Sequence, residues 1–475
     1  MRRLAMGWAT VMGVLLMTSS LTAQETSLTV RLRSQKGVSN ADLKTERTVV
    51  EEVERLWSAK ETAVIVCDLW DAHHCLNAVR RLEEFAPRMN EVLKEARKRG
   101  ATIIHSPSDC MAAYEDHAAR KRAVAAPAAK VKPKDVEHWC SRIPSEEKAV
   151  YPIDQSDGGE DDDPAEHAEW AAKLKAMGRN PGMPWKTQSK LVEIDADRDF
   201  ISDRGDEVWN VLESRDIKNV ILVGVHLNMC VLGRPFGLRQ MVRNGKHVAL
   251  MRDMTDCMYN PKRWPQVDHF TGNDLVVSHV ERFVCPTITS DQILGGNAFR
   301  SKYDKRNEVS PTIKPQDART AWRPMTVAKR WQQLNLTEAE GYQGPFWIRC
   351  VVRLPSDWLQ WRRLQLKLEV DHETSVWLNG HEASSKVEAG SGNTVTYQFP
   401  AEAVVPDDFH LLVMRLKGPG GHLTLPEPPT LVSGSRKLEL KGQWQLRLGD
   451  DKSWSNIPLP AKFGGSTDML FEPTP

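Results

Sequence analysis

The chain has 475 residues, with 64 Lys and Arg against 63 Asp and Glu. That balance removes the electrostatic drive towards nucleic acid or an anionic membrane surface. A hydrophobic content of 40% excludes a largely disordered chain, and the length exceeds what one core organises, so two or three domains are expected.

The chain opens MRRLAMGWATVMGVLLMTSSLTAQ. Arg2 and Arg3 precede an apolar run that ends in small residues near Ala23. This pattern predicts a secretory signal peptide over 1–23, and hence a periplasmic or extracellular protein. The run is short for a hydrocarbon core of ~30 Å. Export permits disulfides among the eight cysteines. No CxxC pair signals structural zinc, and the pairing stays open.

From 63 to about 290, apolar runs of strand type alternate with helical spacing. AVIVCD (63–68) predicts a strand, 79–99 a helix, ATIIHS (101–106) a strand and KLVEID (190–195) a third. EVWNVLESR (207–215) predicts a helix, NVILVG (219–224) a strand, 230–244 a helix, HVALMRD (247–253) a strand and VCPTITS (284–290) the last. Such alternation predicts an α/β fold, with a mostly parallel, doubly wound sheet whose ligands sit at the C-terminal strand ends. The domain is expected over 24–300, interrupted by an insertion at about 120–189. Within it, DQSDGGEDDDPAE (154–166) lacks EF-hand ligand spacing and reads as a solvated surface run.

A polar linker is expected at 301–320, then short alternating runs over 321–475 separated by turns such as Asn379-Gly380. That pattern predicts an all-β sandwich of jelly-roll type.

Two strand ends carry chemistry. Asp68 closes its strand at the C-terminal edge. NVILVG ends in Gly224, and six residues later Cys230 opens a predicted helix. A helix N-terminus favours thiolate and offers N–H groups to an oxyanion. On that feature alone a buried structural cysteine is the favoured reading of Cys230. With Asp68 across the same cleft, the pair becomes a nucleophile and its base. Strand alternation sends Cys67 to the core.

TAVIVCDLWDAH (62–73) and VILVGVHLNMCV (220–231) resemble the two signature segments of the isochorismatase-like cysteine hydrolases, the group containing nicotinamidases. HVALMRD followed by MTDCMYN (254–260) adds to the resemblance, which covers about 60–295. It implies a six-stranded doubly wound sheet, an Asp–Lys–Cys triad and hydrolysis of amides through a thioester. Asp68 matches the base and Cys230 the nucleophile. Val225–His226 matches the position of a cis peptide beside the oxyanion hole, formed by backbone near Met229 and Cys230. The lysine does not match. VEIDADRDF (192–200) puts Asp195 in its slot, and Arg198, Lys190 and Lys186 are the candidate substitutes. An aspartate in that slot would disfavour the thiolate. His226, Met229, Trp70 and His105 are the candidate pocket residues, with Tyr114 and Trp139 as further walls. Nicotinamidase relatives carry a metal near the second strand. Asp71, His74, His105 and Asp109 are the weak counterparts here, and the alternative is pocket lining and capping, with no cofactor required.

ETSVWLNGHE (373–382) and AWRPMTVAKRW (321–331) resemble the galactose-binding-like sandwich at the front of family-two glycosidases. That resemblance implies carbohydrate as a ligand, with Trp358 and Trp361 as stacking platforms or core. The expected function is an exported cysteine hydrolase of a small-molecule C–N bond. The alternative is a carbohydrate-binding cell-envelope protein with a silent hydrolase-like domain. A small-molecule substrate, carbohydrate and further copies in a homo-oligomer are the expected partners.

Overall fold

The computed structural model describes residues 26–40, 45–147, 149–265, 267–305, 322–327, 344–355, 358, 363–370, 373–387, 393–405, 408–417, 425, 427–456, 470, 471 and 473. The expected signal peptide, most of the expected linker and Trp361 lie outside them. Among the described residues no helix is long and apolar enough to cross a membrane.

Strands β1 (Ser27–Asn40) and β2 (Thr45–Ser58) form an antiparallel hairpin. Six parallel strands follow: β3 (Thr62–Cys67), β4 (Thr102–Ser106), β5 (Phe200–Ile201), β6 (Asn219–Val225), β7 (His247–Asp256) and β8 (Thr287–Ile288). The order β2-β1-β8-β7-β6-β3-β4-β5 makes one sheet of eight strands. The expected six-stranded sheet is therefore only the parallel part. The hairpin extends it antiparallel through Arg33 against Thr287.

Alternating residues of the central strands feed two apolar layers. Ala63, Ile65, Val220 and Leu222 face one, whereas Val64, Val66, Ile221 and Val223 face the other with the helix Leu76–Arg99. Both faces are apolar, so these strands read as continuous hydrophobic runs. That helix buries Leu82, Phe85, Met89, Val92, Leu93 and Ala96 at helical spacing and ends on Gly100 at φ 103°.

Two expected elements differ. Residues 190–195 are not a strand, because local capping satisfies their backbone: Asp195 N–H donates to Asp199 Oδ2 at 2.7 Å and Glu193 N–H to Asn90 Oδ1 at 2.9 Å. The strand beside β4 is instead Phe200–Ile201. The expected helix 230–244 splits into a π-type turn, Leu227–Val231, and a helix, Leu238–Arg243. Gly233, Pro235 and Gly237 separate the two pieces.

Much of the insertion is exposed as expected, but parts of it are anchored to the domain. Asp161 and Asp162 of its acidic run keep 7% and 1% of their side-chain surface exposed. Asp162 caps the helix Leu76–Arg99, accepting from Leu76 N–H and Asn77 N–H at 2.7 Å each. Glu146 is buried and anchors another part of the insertion. It accepts two hydrogen bonds of 2.8 Å from Arg239 and pairs with His279 Nε2 at 3.0 Å. Burial alone would raise its pKa, but His279 and Arg239 outweigh it and hold the carboxyl at about 2. Glu146→Gln is expected to cost about 3 kcal/mol at neutral pH. The folded pKa lies below the unfolded one, so this stabilisation is full above pH ~4.3 and fades as pH falls towards 2. Urea unfolding of both chains at neutral and acid pH measures it; an equal gap at both contradicts it.

The C-terminal part is two mainly antiparallel sheets, one of seven strands and one of five among the described residues. Their facing sides bury Ile348, Leu366, Leu412, Trp444 and Trp358. Trp358, 4% exposed, is core and not a sugar platform. The outer side of the larger sheet carries Trp347, Val351, Trp377 and Val413, and packs on the α/β part through a shared cluster.

Candidate active site

In the parallel sheet the chain runs outwards through β3, β4 and β5 on one side, and through β6, β7 and β8 on the other. The C-terminal ends of β3 and β6 are thus the point of reversal, where such sheets open a crevice. Gly224 near the end of β6 has φ 108°, and a Cβ there would lie 2.0 Å from the Cys67 carbonyl oxygen. Only glycine lets the two strand ends meet this closely. Asp68 leaves β3 at φ 46°, a conformation that aspartate tolerates better than most residues.

Asp68 is fully buried. Its Oδ1 accepts the Ser108 N–H at 2.7 Å and its Oδ2 accepts Arg234 Nε–H at 3.1 Å. The Cys230 thiol feels the charges of both the Asp68 carboxylate and the Arg234 guanidinium. The structure therefore brings Asp68 and Cys230 together and adds a cation. That cation is none of the three expected. Arg198 is tied to Asp195 at 2.7 Å, and Lys186 and Lys190 are exposed. Arg234 arrives from the nucleophile's own segment, four residues on, where Arg234 N–H closes on Cys230 O at 2.9 Å. The i, i+4 spacing in CVLGR was the available signal.

The charges set the resting protonation. Burial pushes the Asp68 carboxyl up, with Arg234 opposing. Burial and then the Asp68 charge push the Cys230 thiol up, again against Arg234. The preformed thiolate expected from a helix N-terminus is not supported, because the π-type turn is a single turn and its helix-dipole benefit is small beside desolvation. Cys230 rests as a thiol beside a base. All eight cysteines are free and buried, so no disulfide forms among them.

The insertion roofs this site. Cys140 N–H donates to Gly233 O at 2.8 Å, and the Trp139 ring lies 5.6 Å from the Arg234 guanidinium. A Cβ at Gly233 would meet the Trp139 ring at 2.3 Å. Trp70 stacks on Trp185 at 4.4 Å, and its indole N–H donates to Ser108 O at 3.0 Å. Tyr114 donates no wall of its own; its hydroxyl accepts the Gln188 N–H at 2.8 Å. A separate cavity of about 20 Å³ bounded by Trp70, His73, Ser189 and His226 has room for one water, and Asp68, Cys230 and Arg234 do not line it.

The other expected residues separate. His226 is buried 4.8 Å from the His73 ring, and burial pushes it down to about 3, so it is neutral. The Val225–His226 peptide is cis. Met229 packs beside Cys75 and Met258, and its N–H is committed to His226 O at 3.0 Å, which removes it from the expected oxyanion hole. His105 does not line the cleft: it is fully buried between Gln188 Oε1 at 2.9 Å and Asp199 Oδ2 at 3.1 Å. The four weak metal candidates have separate roles. Asp71 pairs with Arg179 at 2.8 Å, Asp109 approaches Arg234 at 3.6 Å and His105 is held as above. The His74 ring lies 4.1 Å from the His73 ring, tilted by 36°. Two clusters with metal-ligand spacing do occur, Cys75–Asp161–Asp162 and Glu160–Asp162–His167. Their central carboxylate, Asp162, is already saturated by the helix N–H groups, and Asp161 by Arg81.

The chain matches no protein-family model and no curated protein. Among solved structures it is similar to the crystal structure of a cysteine hydrolase from Pseudomonas syringae pv. phaseolicola 1448A, at 15% identity and a TM-score of 0.30. The match covers 50% of this chain and 92% of that one.

Proposed function

We propose that the α/β part is a cysteine hydrolase that cleaves the C–N bond of a small carboxamide. The observation that carries this reading is the buried meeting of Asp68, Cys230 and Arg234 at the reversal point of the sheet. As the Cys230 sulfur attacks the carbonyl carbon, its proton passes to Asp68. The resulting oxyanion collapses, the C–N bond breaks, and the leaving amine takes the proton from Asp68. Asp68 then deprotonates a water that hydrolyses the thioester, releasing the carboxylic acid and restoring the thiol. Arg234 opposes the rise that burial imposes on the Asp68 carboxyl and so favours its ionised form.

The test is ammonia release from a panel of carboxamides, with intact-mass detection of an acyl adduct after rapid acid quench. Wild type is expected to turn over at least one amide and to carry the adduct; Cys230→Ala does neither. A wild-type chain that releases no ammonia and acquires no adduct would favour the carbohydrate-binding reading with a silent domain.

A further inference from the structure

On its β8 side, β7 outruns its neighbour. The ladder between them ends at Met251 against Ile288, and β8 meets β1 at Arg33 alone. Residues 252–256 of β7 run on past that ladder. A cavity of about 390 Å³ lies there, lined from β7, β1 and the helices Leu76–Arg99 and His269–Phe283. The segment 298–304 adds a further wall. It is tied down where Phe299 N–H donates to Asp253 Oδ2 at 3.0 Å and Lys302 N–H to Glu84 Oε1 at 2.6 Å. Phe85, Phe270 and Val277 give the cavity apolar sides, and Asp68, Cys230 and Arg234 do not line it.

Arg252 lines this cavity directly. Among the described residues its guanidinium makes one hydrogen bond, from Nη1 to Thr287 Oγ1 at 3.0 Å, and no ion pair. Its Nε and Nη2 are unpartnered there and still reachable by solvent. That edge is the one with which arginines hold carboxylates elsewhere in the chain. Arg97 meets Asp199 through it at 2.9 and 2.6 Å, and Arg239 meets Glu146 at 2.8 Å twice. Glu281 acts on Arg252, but it is already committed to Gln35 Nε2 at 2.6 Å, Thr287 Oγ1 at 2.5 Å and Arg33 at 3.3 Å. Burial and then the Arg33 charge push the Arg252 guanidinium below its ordinary value. A carboxylate on the open edge would relieve both effects. The wall as a whole has the opposite bias: six carboxylates, among them Asp253, Asp274 and Asp304, face the guanidiniums of Arg33, Arg81, Arg252 and Arg300. A simple anion would enter against that excess, and a simple cation would leave the Arg252 edge unmet. A ligand carrying both charges satisfies both.

We propose that this cavity binds a small zwitterion, an amino acid, with its carboxylate on the Nε/Nη2 edge of Arg252 and its ammonium on the acidic remainder of the wall. The site is separate from the thiol chemistry, and its test does not depend on hydrolase activity.

Isothermal titration calorimetry of the full chain at neutral pH and low ionic strength is the experiment. The probes are norvaline and 4-aminobutyrate, with butyrate and butylamine as matched single charges. At least one amino acid is expected to bind saturably, and about tenfold or more tightly than either single-charge probe. Arg252→Met keeps the stem and removes the fork, so it should weaken that binding by about tenfold or more. Ala298 is exposed on the cavity wall, and Ala298→Trp fills the space from outside the core. The folded chain should persist in that variant and the binding be lost, which keeps the proposal open to refutation where Arg252→Met does not fold. No saturable binding of either amino acid overturns the proposal. So does butyrate or butylamine binding as tightly as the amino acid, or unchanged binding in Ala298→Trp or in folded Arg252→Met.

Discussion

Arg234→Met is expected to lower kcat/KM for the amide found in the panel by about 10²-fold at neutral pH, and to move the acid limb of its pH profile upwards. The magnitude is that of losing one preorganised charge from a dry site. The direction follows from the base. Asp68 works ionised, so activity falls as pH drops through its pKa. Burial already raises that pKa above the usual carboxylate range, and Arg234 is the largest group holding it down. Without the cation the neutral carboxyl is favoured at higher pH, and the limb follows it. Raising the pH should therefore restore part of the lost rate in Arg234→Met. Arg234→Lys should fall between the two. Its ammonium keeps a charge but lacks the Nε–H that Arg234 gives Asp68 at 3.1 Å. A purely structural arginine would lower activity equally at all pH values, so an unmoved limb in Arg234→Met removes it from the proton chemistry.

Two of the three side chains at that site were legible because each ends an apolar run. A strand that stops in a carboxylate, and a strand that stops in glycine shortly before a cysteine, both point to one sheet edge. Arg234 was not, for a physical reason. The search for a cation looked to a neighbouring strand end, whereas the turn after Cys230 folds tightly enough for the next residue along its own face to reach Asp68. Protonation state was also out of reach. A thiol's pKa depends on how much water surrounds it, and Cys230 is only 9% exposed.

The fold shows the same division. Buried parallel strands such as Thr62–Cys67 and Asn219–Val225 announce themselves as unbroken apolar runs. The hairpin escaped notice because much of 50–58 lies exposed, with Glu51, Glu52, Glu54 and Arg55 interrupting any apolar period. Within the acidic run at 154–166, which is otherwise largely exposed, Asp161 and Asp162 escaped the solvated reading because composition reports charge and not partners. Asp161 is buried against Arg81, far away in sequence, with His269 at 3.4 Å as a second partner.

That meeting predicts the largest stability effect in the chain. Arg81, 7% exposed, donates through Nε to Asp256 Oδ2 at 2.8 Å and through its fork to Asp161 at 2.8 and 3.1 Å. Asp256 also pairs with His269 Nε2 at 2.8 Å. Burial would raise the Asp256 pKa, but Arg81 and His269 hold it well below the usual range. Arg81→Met is expected to cost about 4–5 kcal/mol at neutral pH, because it strands two buried carboxylates beside each other. Against a typical margin of about 5–15 kcal/mol, that loss brings the domain close to unfolding at ambient temperature. The wild-type stabilisation from Asp256 is full above pH ~3.9, its unfolded value, and fades as pH falls below it. In the variant the sign reverses, since stranded carboxylates have raised pKa values and protonation relieves them. The gap between the two chains should therefore shrink from neutral pH towards pH ~5. Arg81→Met with Asp161→Asn should recover part of the loss by removing one stranded charge. Urea midpoints of wild type, single and double variants at both pH values measure this. A gap that does not narrow on acidification, or a double variant no more stable than the single, would show that Arg81 acts through packing of its stem and not through the two carboxylates. The same network lies against His226, whose ionisation feels both Asp256 and Arg81. Loosening it is expected to disturb the turn that carries Cys230 before the chain as a whole unfolds, so activity should fall at lower urea than the far-ultraviolet signal.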